Sequence, residues 1–223
     1  MNGVHKLGTK ERKERERALR RQQIQDSAKE IFSQKGFQST TIEDIAKKAE
    51  LSTGAIYQYF KSKDELYAFM NLEGLQNMTD EIEAIYKDQR LSSERKILKM
   101  KEAMYGNFLN FPLLLRVVFH VQLEDTLANL DKQLLNQLNS LGKKTMNLMA
   151  SVYQEGVIAG KFYPGHGLAH ADIMWGTFAG LMMWEEAKRR INPKKDFLKS
   201  TLDQAFEIFC RGIKKDKKEE KKG

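Results

Sequence analysis

The sequence predicts an all-α protein of about nine helices. Three observations carry this. Apolar residues recur at spacings of three and four along almost the whole 223-residue chain, strand-like alternation is close to absent, and the three prolines fall where one periodic stretch gives way to the next. A hydrophobic content of 41% with 30% charged residues fits an ordinary water-soluble chain, long enough for one or two domains with a real core.

The first helix is expected over 10–35. Its start is charged, with Glu11/Arg15 and Glu16/Arg20 spaced for i,i+4 pairing, and its apolar stripe begins at Ile24 and continues through Ala28, Ile31 and Phe32. Gly36 ends it, and Phe37 folds back as the hydrophobic contact that accompanies such caps. Ser39, Thr40 and Thr41 offer N-caps for a second helix over Thr41–Ala49, with Ile42, Ile45, Ala46 and Ala49 on one face. Glu50-Leu51-Ser52 interrupts the pattern, and a third helix resumes it over Thr53–Phe60.

Lys63-Asp64-Glu65 opens a fourth helix, its acids placed where the helix dipole favours them, and Leu66, Phe69, Met70, Met78, Ile82 and Ile85 supply its buried side. A fifth starts at Ser92 or Ser93 and runs toward Asn110. Pro112 opens a sixth, with Leu113, Leu114, Val117, Val118 and Val121 on its inner face. The seventh carries Leu127, Leu130, Leu134, Leu138, Leu141, Thr145, Leu148 and Val152, and stops at Gly156–Gly160 with Pro164 just beyond. An eighth covers about 167–190. Asn192-Pro193 reads as an N-cap followed by proline at the first helical position, starting the ninth.

The second and third helices, parted by a three- or four-residue turn, form the unit that sets its second helix into the DNA major groove. The residue types suit that role, since Ser52, Thr53, Tyr57, Gln58 and Tyr59 can donate to phosphates or reach base edges. Gly54 costs about 1 kcal/mol of helix propensity relative to alanine, which points to close approach of the backbone to DNA, against the plainer role of easing the turn. Gln58 suits a bidentate pair with adenine, and the absence of arginine from this helix shifts weight to phosphate and shape terms. Ile56 and Phe60 are read as core.

The formal net charge is +8 and the pI is near 9.4, values that suit a polyanionic partner. The excess sits at the ends. Residues 1–21 hold eight Lys/Arg against three Glu, 211–223 hold seven against three acids, and the stretch between is left at −1. The N-terminal segment is placed to add phosphate contacts or enter a groove, whereas the C-terminal run reads as a solvated helix end.

No secretory leader is read in the first residues, and the longest uncharged apolar stretch, Ile173 to Trp184, falls short of the roughly 20 residues a membrane span needs. With the lone Cys210, this gives a cytoplasmic expectation. Phosphate-loop, metalloprotease, nucleophile-elbow and reactive-cysteine signatures are lacking, so an enzyme, a cofactor and a metal are not expected. His166 and His170 stand at i,i+4 without an acidic partner and read as capping and surface residues.

From Ala28, Phe32, Gly36-Phe37, Thr40-Thr41-Ile42, Ile45-Ala46, Ala49, Gly54 to Phe60 and Lys61 to Leu66, the chain resembles the TetR family of bacterial transcription regulators. The resemblance covers roughly residues 20–70. It implies an all-helical homodimer with an N-terminal three-helix DNA-binding domain, here 1–66, and a larger helical effector-binding and dimerisation domain, 67–223. It places phosphate binding on Thr41, recognition-helix contacts on Ser52, Thr53, Gly54, Tyr57, Gln58 and Tyr59, and a backbone contact on Lys63. The partner implied is a palindromic double-stranded operator, whose half-sites a dimer meets about 34–36 Å apart or a multiple of that.

The eighth helix is apolar nearly all round and so demands burial on more than one side. Gly176, Ala179, Gly180, Met183 and Trp184, with Phe206 of the ninth, are the expected dimer contacts. Methionines and aromatics are concentrated in the larger domain, and a hydrophobic small-molecule effector is expected among Phe108, Phe111, Phe119, His120, Met149, Tyr153, Trp175 and Phe178, although core packing explains each of these equally well. The resulting expectation is a repressor that leaves its operator when the effector binds. The rivals are an effector-independent architectural DNA-binding protein and a helical enzyme or carrier with an incidental helix-turn-helix.

Overall fold

The computed structural model describes residues 9–111, 131–192 and 197–215. Among them eight helices follow in order: α1 (Thr9–Lys35), α2 (Ile42–Lys48), α3 (Thr53–Tyr57), α4 (Lys63–Lys87), α5 (Ser93–Asn110), α6 (Lys132–Ile158), α7 (Gly167–Ile191) and α8 (Leu198–Ile213). The protein is all-α; an isolated antiparallel bridge joins Phe162 to Lys214. The helix expected to open at Pro112 lies outside the described residues.

The chain divides into two compact units between Met70 and Asn71, a point within α4; Asp131 clusters with the first unit. In the first, Ile24, Ala28 and Phe32 of α1, Ile42, Ile45 and Ala46 of α2, Ile56 of α3 and Leu66 of α4 are buried together with Phe60. The turn out of α1 uses Gly36 at φ +76, the left-handed conformation in which glycine meets no steric penalty. Phe37 then lies 5.5 Å from Phe32 and 4.4 Å from Tyr67 between ring centroids, so the expected fold-back closes an aromatic cluster.

In the second unit α6 packs along α5 and α7, and α8 against α7 and α5. The core holds Met78, Met100, Met104, Met149, Met174 and Met182 with Phe162, Phe178 and Phe206. Polar links cross it. Thr79 Oγ1 and Thr145 Oγ1 are 2.8 Å apart, and Lys96 Nζ donates to the Tyr86 carbonyl at 2.6 Å and to Glu155 Oε2 at 2.8 Å. These bonds satisfy groups whose burial would otherwise be costly.

One expectation is corrected. The third helix ends at Tyr57 rather than Phe60: Gln58 is its C-cap, and the amides of Tyr59 and Phe60 both turn back onto the Ile56 carbonyl, which carries Phe60 into the core. The segment expected to follow Asn192 as its N-cap, 193–196, lies outside the described residues, and Asn192 itself is described by its place after α7. It closes α7, its amide donating to the Lys188 carbonyl at 2.9 Å, and α8 begins at Leu198. Asn192 has φ −140 and ψ 87, the extended region toward which a proline next in sequence biases a residue.

Candidate nucleic-acid interface

The helix-turn-helix is fixed by caps at both of its helices. Thr41 Oγ1 accepts from the Asp44 amide at 3.1 Å, and Asp44 Oδ2 accepts from the Thr41 amide at 3.1 Å, a reciprocal capping box. Asp44 also receives Lys35 Nζ at 2.6 Å, and that hydrogen bond, with the one from the Thr41 amide, holds its carboxyl below the ordinary value. Gln23 of α1 donates to the Ala49 carbonyl at 2.9 Å and anchors the end of α2. Glu50 then takes φ +55, the left-handed region that a side chain disfavours by roughly 1–2 kcal/mol. The Leu51 amide, bonded to the Ala46 carbonyl at 2.9 Å, holds the chain in that turn.

Ser52 Oγ accepts from the Ala55 amide at 3.1 Å and so starts α3. Ile56 is fully buried, which fixes the rotation of the short helix. The residues on its other sides then face solvent: Tyr57 is 53% exposed, Ser52, Gly54 and Gln58 are exposed, and Thr53 and Tyr59 are half-buried. Thr41 is exposed as well. The cap oxygens of Ser52 and Thr41 act as acceptors internally, and each hydroxyl retains its single O–H to donate elsewhere. At Gly54 an added Cβ would meet only Ser52 Oγ, at 3.9 Å, and no positive φ is required. Nothing among the described residues therefore demands glycine at this position.

Lys63 is placed differently from the other expected contacts. Its Nζ donates to the carbonyls of Phe37 and Thr40 at 2.8 and 2.9 Å and lies 4.4 Å from the Phe37 ring centroid. It braces the α1–α2 turn onto the start of α4. Arg21 belongs to no motif, yet its guanidinium carbon sits 4.1 Å from the Phe69 ring centroid and 5.2 Å from that of Phe60. Arg–aromatic stacking of this kind leaves no periodic trace in a sequence.

The described residues expected around an effector all belong to, or pack against, one hydrophobic core of the second unit. Phe108 and Phe111 are half-buried on the last turn and cap of α5, Trp175 is half-buried 6.0 Å from Phe178, and Met149, Tyr153 and Phe178 are fully buried. Phe119 and His120 lie outside the described residues. Tyr153 is held by its own surroundings: its hydroxyl donates to the Tyr163 carbonyl at 2.6 Å and its ring stacks on His170, with centroids 3.7 Å apart. Burial raises its pKa. His170 is thus a packing residue rather than a surface one, while His166 caps α7 through its Nδ1.

Among the expected dimer contacts, Gly176, Gly180, Met183 and Trp184 are exposed on one face of α7, Trp184 at 62%. Ala179 and Phe206 are buried in the subunit's own core, so neither offers surface to a second copy. The α7 stripe also includes Ile173 and Ile191, and Ile208 of α8 is exposed too.

The sequence pattern described as "Bacterial regulatory proteins, tetR family" matches residues 24–69, which contain this helix-turn-helix. The fatty acid metabolism regulator protein of Bacillus subtilis is 25% identical over 196 residues, 86% of this chain and 94% of that protein. The HTH-type transcriptional regulator AcrR of Shigella flexneri is 33% identical over 103 residues, 45% of this chain and 48% of its own. Among solved structures, the regulator FadR of Bacillus subtilis in complex with stearoyl-CoA superposes with a TM-score of 0.66 at 20% identity, covering 86% of this chain and 98% of that one. PfmR of Thermus thermophilus, a TetR family regulator, superposes at 0.67 with 17% identity, covering 86% and 99%. These structural likenesses establish the shared fold; the sequence matches carry the function. The chain is a DNA-binding transcriptional regulator, not an enzyme, and its residues 24–69 match the DNA-binding pattern of the TetR family.

Proposed function

We propose that the protein is a homodimeric repressor that binds a two-fold-related operator through α3 and leaves it when a hydrophobic small molecule occupies the larger domain. Residues 1–66 form the DNA-binding domain in this reading and 67–223 the effector-binding and dimerisation domain. Thr41, Ser52, Thr53, Gly54, Tyr57, Gln58 and Tyr59 contact DNA, while Lys63 acts chiefly by bracing the fold. The observation that carries this is the orientation of α3. Ile56 alone is taken into the core, and polar or small residues occupy every outward position.

The exposed apolar stripe on α7 supports pairing with a second copy, since contiguous exposed apolar surface marks an interaction site. The methionine-rich core of the second unit supports an adaptable apolar site. Because a relative of the same fold carries stearoyl-CoA, a long-chain acyl thioester is the first effector to test. An effector that binds the low-affinity conformation more tightly draws the population away from DNA.

Selection of duplexes from a random-sequence library, followed by gel shift, tests the reading. The expected result is an enriched site with two-fold symmetry, released by stearoyl-CoA but not by coenzyme A. Retention of unrelated duplexes with equal strength would sink operator recognition, and an operator complex indifferent to acyl thioesters of every chain length would sink this effector class.

A further inference from the structure

α1 begins well before the domain it serves. Its first buried residue is Ile24, yet the helix starts at Thr9, so about four turns, roughly 22 Å at 1.5 Å per residue, precede the core. Residues 10–20 are all exposed, and from Lys10 to Arg21 there are seven Lys/Arg against three Glu. Hydrophobic burial does not explain a helix here. Local side-chain pairs support it instead, Arg12 to Glu16 at 3.2 Å and Arg20 to Gln23 at 2.8 Å.

The charge has a direction. Lys13, Arg17 and Arg20 follow one another at four and three residues, and the next steps along that face are Ile24 and Ala28, which are buried. The face that packs into the domain lower down therefore becomes a cationic stripe where the helix overruns it. An open groove of about 720 Å³ runs beneath, and Gln58 and Tyr59 from the end of α3 form part of its lining. Glu16, the acid in that lining, is paired with Arg12.

We infer that the stripe of Lys13, Arg17 and Arg20 binds the sugar-phosphate backbone of duplex DNA flanking the segment met by α3. This rests on the DNA-binding reading of α3. The three cations span about 10 Å of helix, and successive phosphates of one strand stand roughly twice the 3.4 Å axial rise apart, so the stripe laid along one strand reaches about two to three phosphates. Bound there, a preformed helix neutralises phosphates without ordering a flexible arm, and it adds affinity without reading sequence.

The test is the salt dependence of binding, read by fluorescence anisotropy on a duplex enriched by the chain from a random library and on a shuffled control. The triple variant Lys13→Gln, Arg17→Gln, Arg20→Gln is expected to flatten the slope of log K against log salt by about 2–3 per chain, with the preference for the enriched duplex intact. Arg17→Gln alone flattens it by about 1, whereas Arg15→Gln on the opposite face leaves the parental slope. Equal slopes for those two single variants, or a parental slope in the triple variant, overturns the inference. Tyr57→Ala with Gln58→Ala separates the underlying reading: loss of sequence preference there alongside a parental slope in the triple variant overturns the stripe alone. A parental chain that enriches no duplex overturns both. Circular dichroism and the melting midpoint report whether each variant keeps its helices.

Discussion

The ammonium of Lys63 donates to the carbonyl of Phe37 at 2.8 Å while standing 4.4 Å from the centroid of the same residue's ring. One side chain thus holds both the backbone and the side chain of the residue that folds back from α1. Charge-assisted bonds of this kind contribute roughly 1.5–3 kcal/mol each. Lys63→Met is expected to destabilise the DNA-free protein by about 2 kcal/mol, measured by urea denaturation. An unchanged midpoint with weakened DNA binding would return Lys63 to direct phosphate contact.

Gly54→Ala separates helix formation from recognition. The added methyl has room and improves helix propensity by up to about 1 kcal/mol, so the melting midpoint should hold or rise. DNA affinity should fall at least tenfold, about 1.4 kcal/mol, if the backbone lies against the duplex. Anisotropy on an enriched duplex decides this, and undiminished affinity would remove Gly54 from the interface.

Gly156→Ala should be among the more damaging single-methyl insertions. A Cβ at 156 overlaps the ring of Phe162, which is itself buried 5.9 Å from Tyr153 between ring centroids. Overpacking of this sort costs typically about 1–3 kcal/mol. Combining it with Phe162→Leu should cost less than the two separate effects together, because the contact that generates the clash is gone. Denaturation midpoints of the four proteins close the cycle, and strict additivity would refute the clash.

Cys210 gives a thiol prediction. Burial pushes its pKa up to about 11, so at about pH 8 almost none is thiolate, the reactive form. Ellman's reagent should label it slowly in buffer and fully in denaturant. Rapid labelling of the native protein would mean that α8 opens readily.

Glu83 provides an acid-side test. Hydrogen bonds from Lys144 at 2.5 Å and Lys87 at 2.6 Å lower its pKa from 4.5 to about 2. A carboxylate whose pKa is depressed by folding contributes stability that is fully present above its ordinary value and is lost as pH falls through the folded one. The window is therefore between about 4.5 and 2. Carbon-13 NMR of the carboxyl should show titration near pH 2, moving upward in Lys144→Gln. A native titration near 4.5 would place the pair in solvent.

Much of the fold was readable because it follows helical periodicity and cap chemistry. Ile24, Ala28 and Phe32 lie on the predicted stripe, Ser92 caps α5 as its hydroxyl allows, and Gly36 with Phe37 closes α1. What escaped depends on partners distant in sequence or on backbone atoms. The carbonyls that hold Lys63 carry no residue identity, the Tyr163 carbonyl that occupies the Tyr153 hydroxyl is equally anonymous, and Phe206 gives no sign of which side of its stripe faces inward. In the candidate interface, the exposed residues of α3 were legible from Ile56 and Phe60, while the left-handed turn at Glu50 was not, since glutamate seldom adopts it.

At five residues, α3 is far too short to persist as a helix by itself. Its rigidity is borrowed from Ile56 below and Ser52 at its start, leaving the outward side chains with almost no share in folding. Those positions can therefore change over generations, or at an engineer's bench, with hardly any toll on the scaffold. A chain built this way can acquire new genomic addresses by substitution at a few codons.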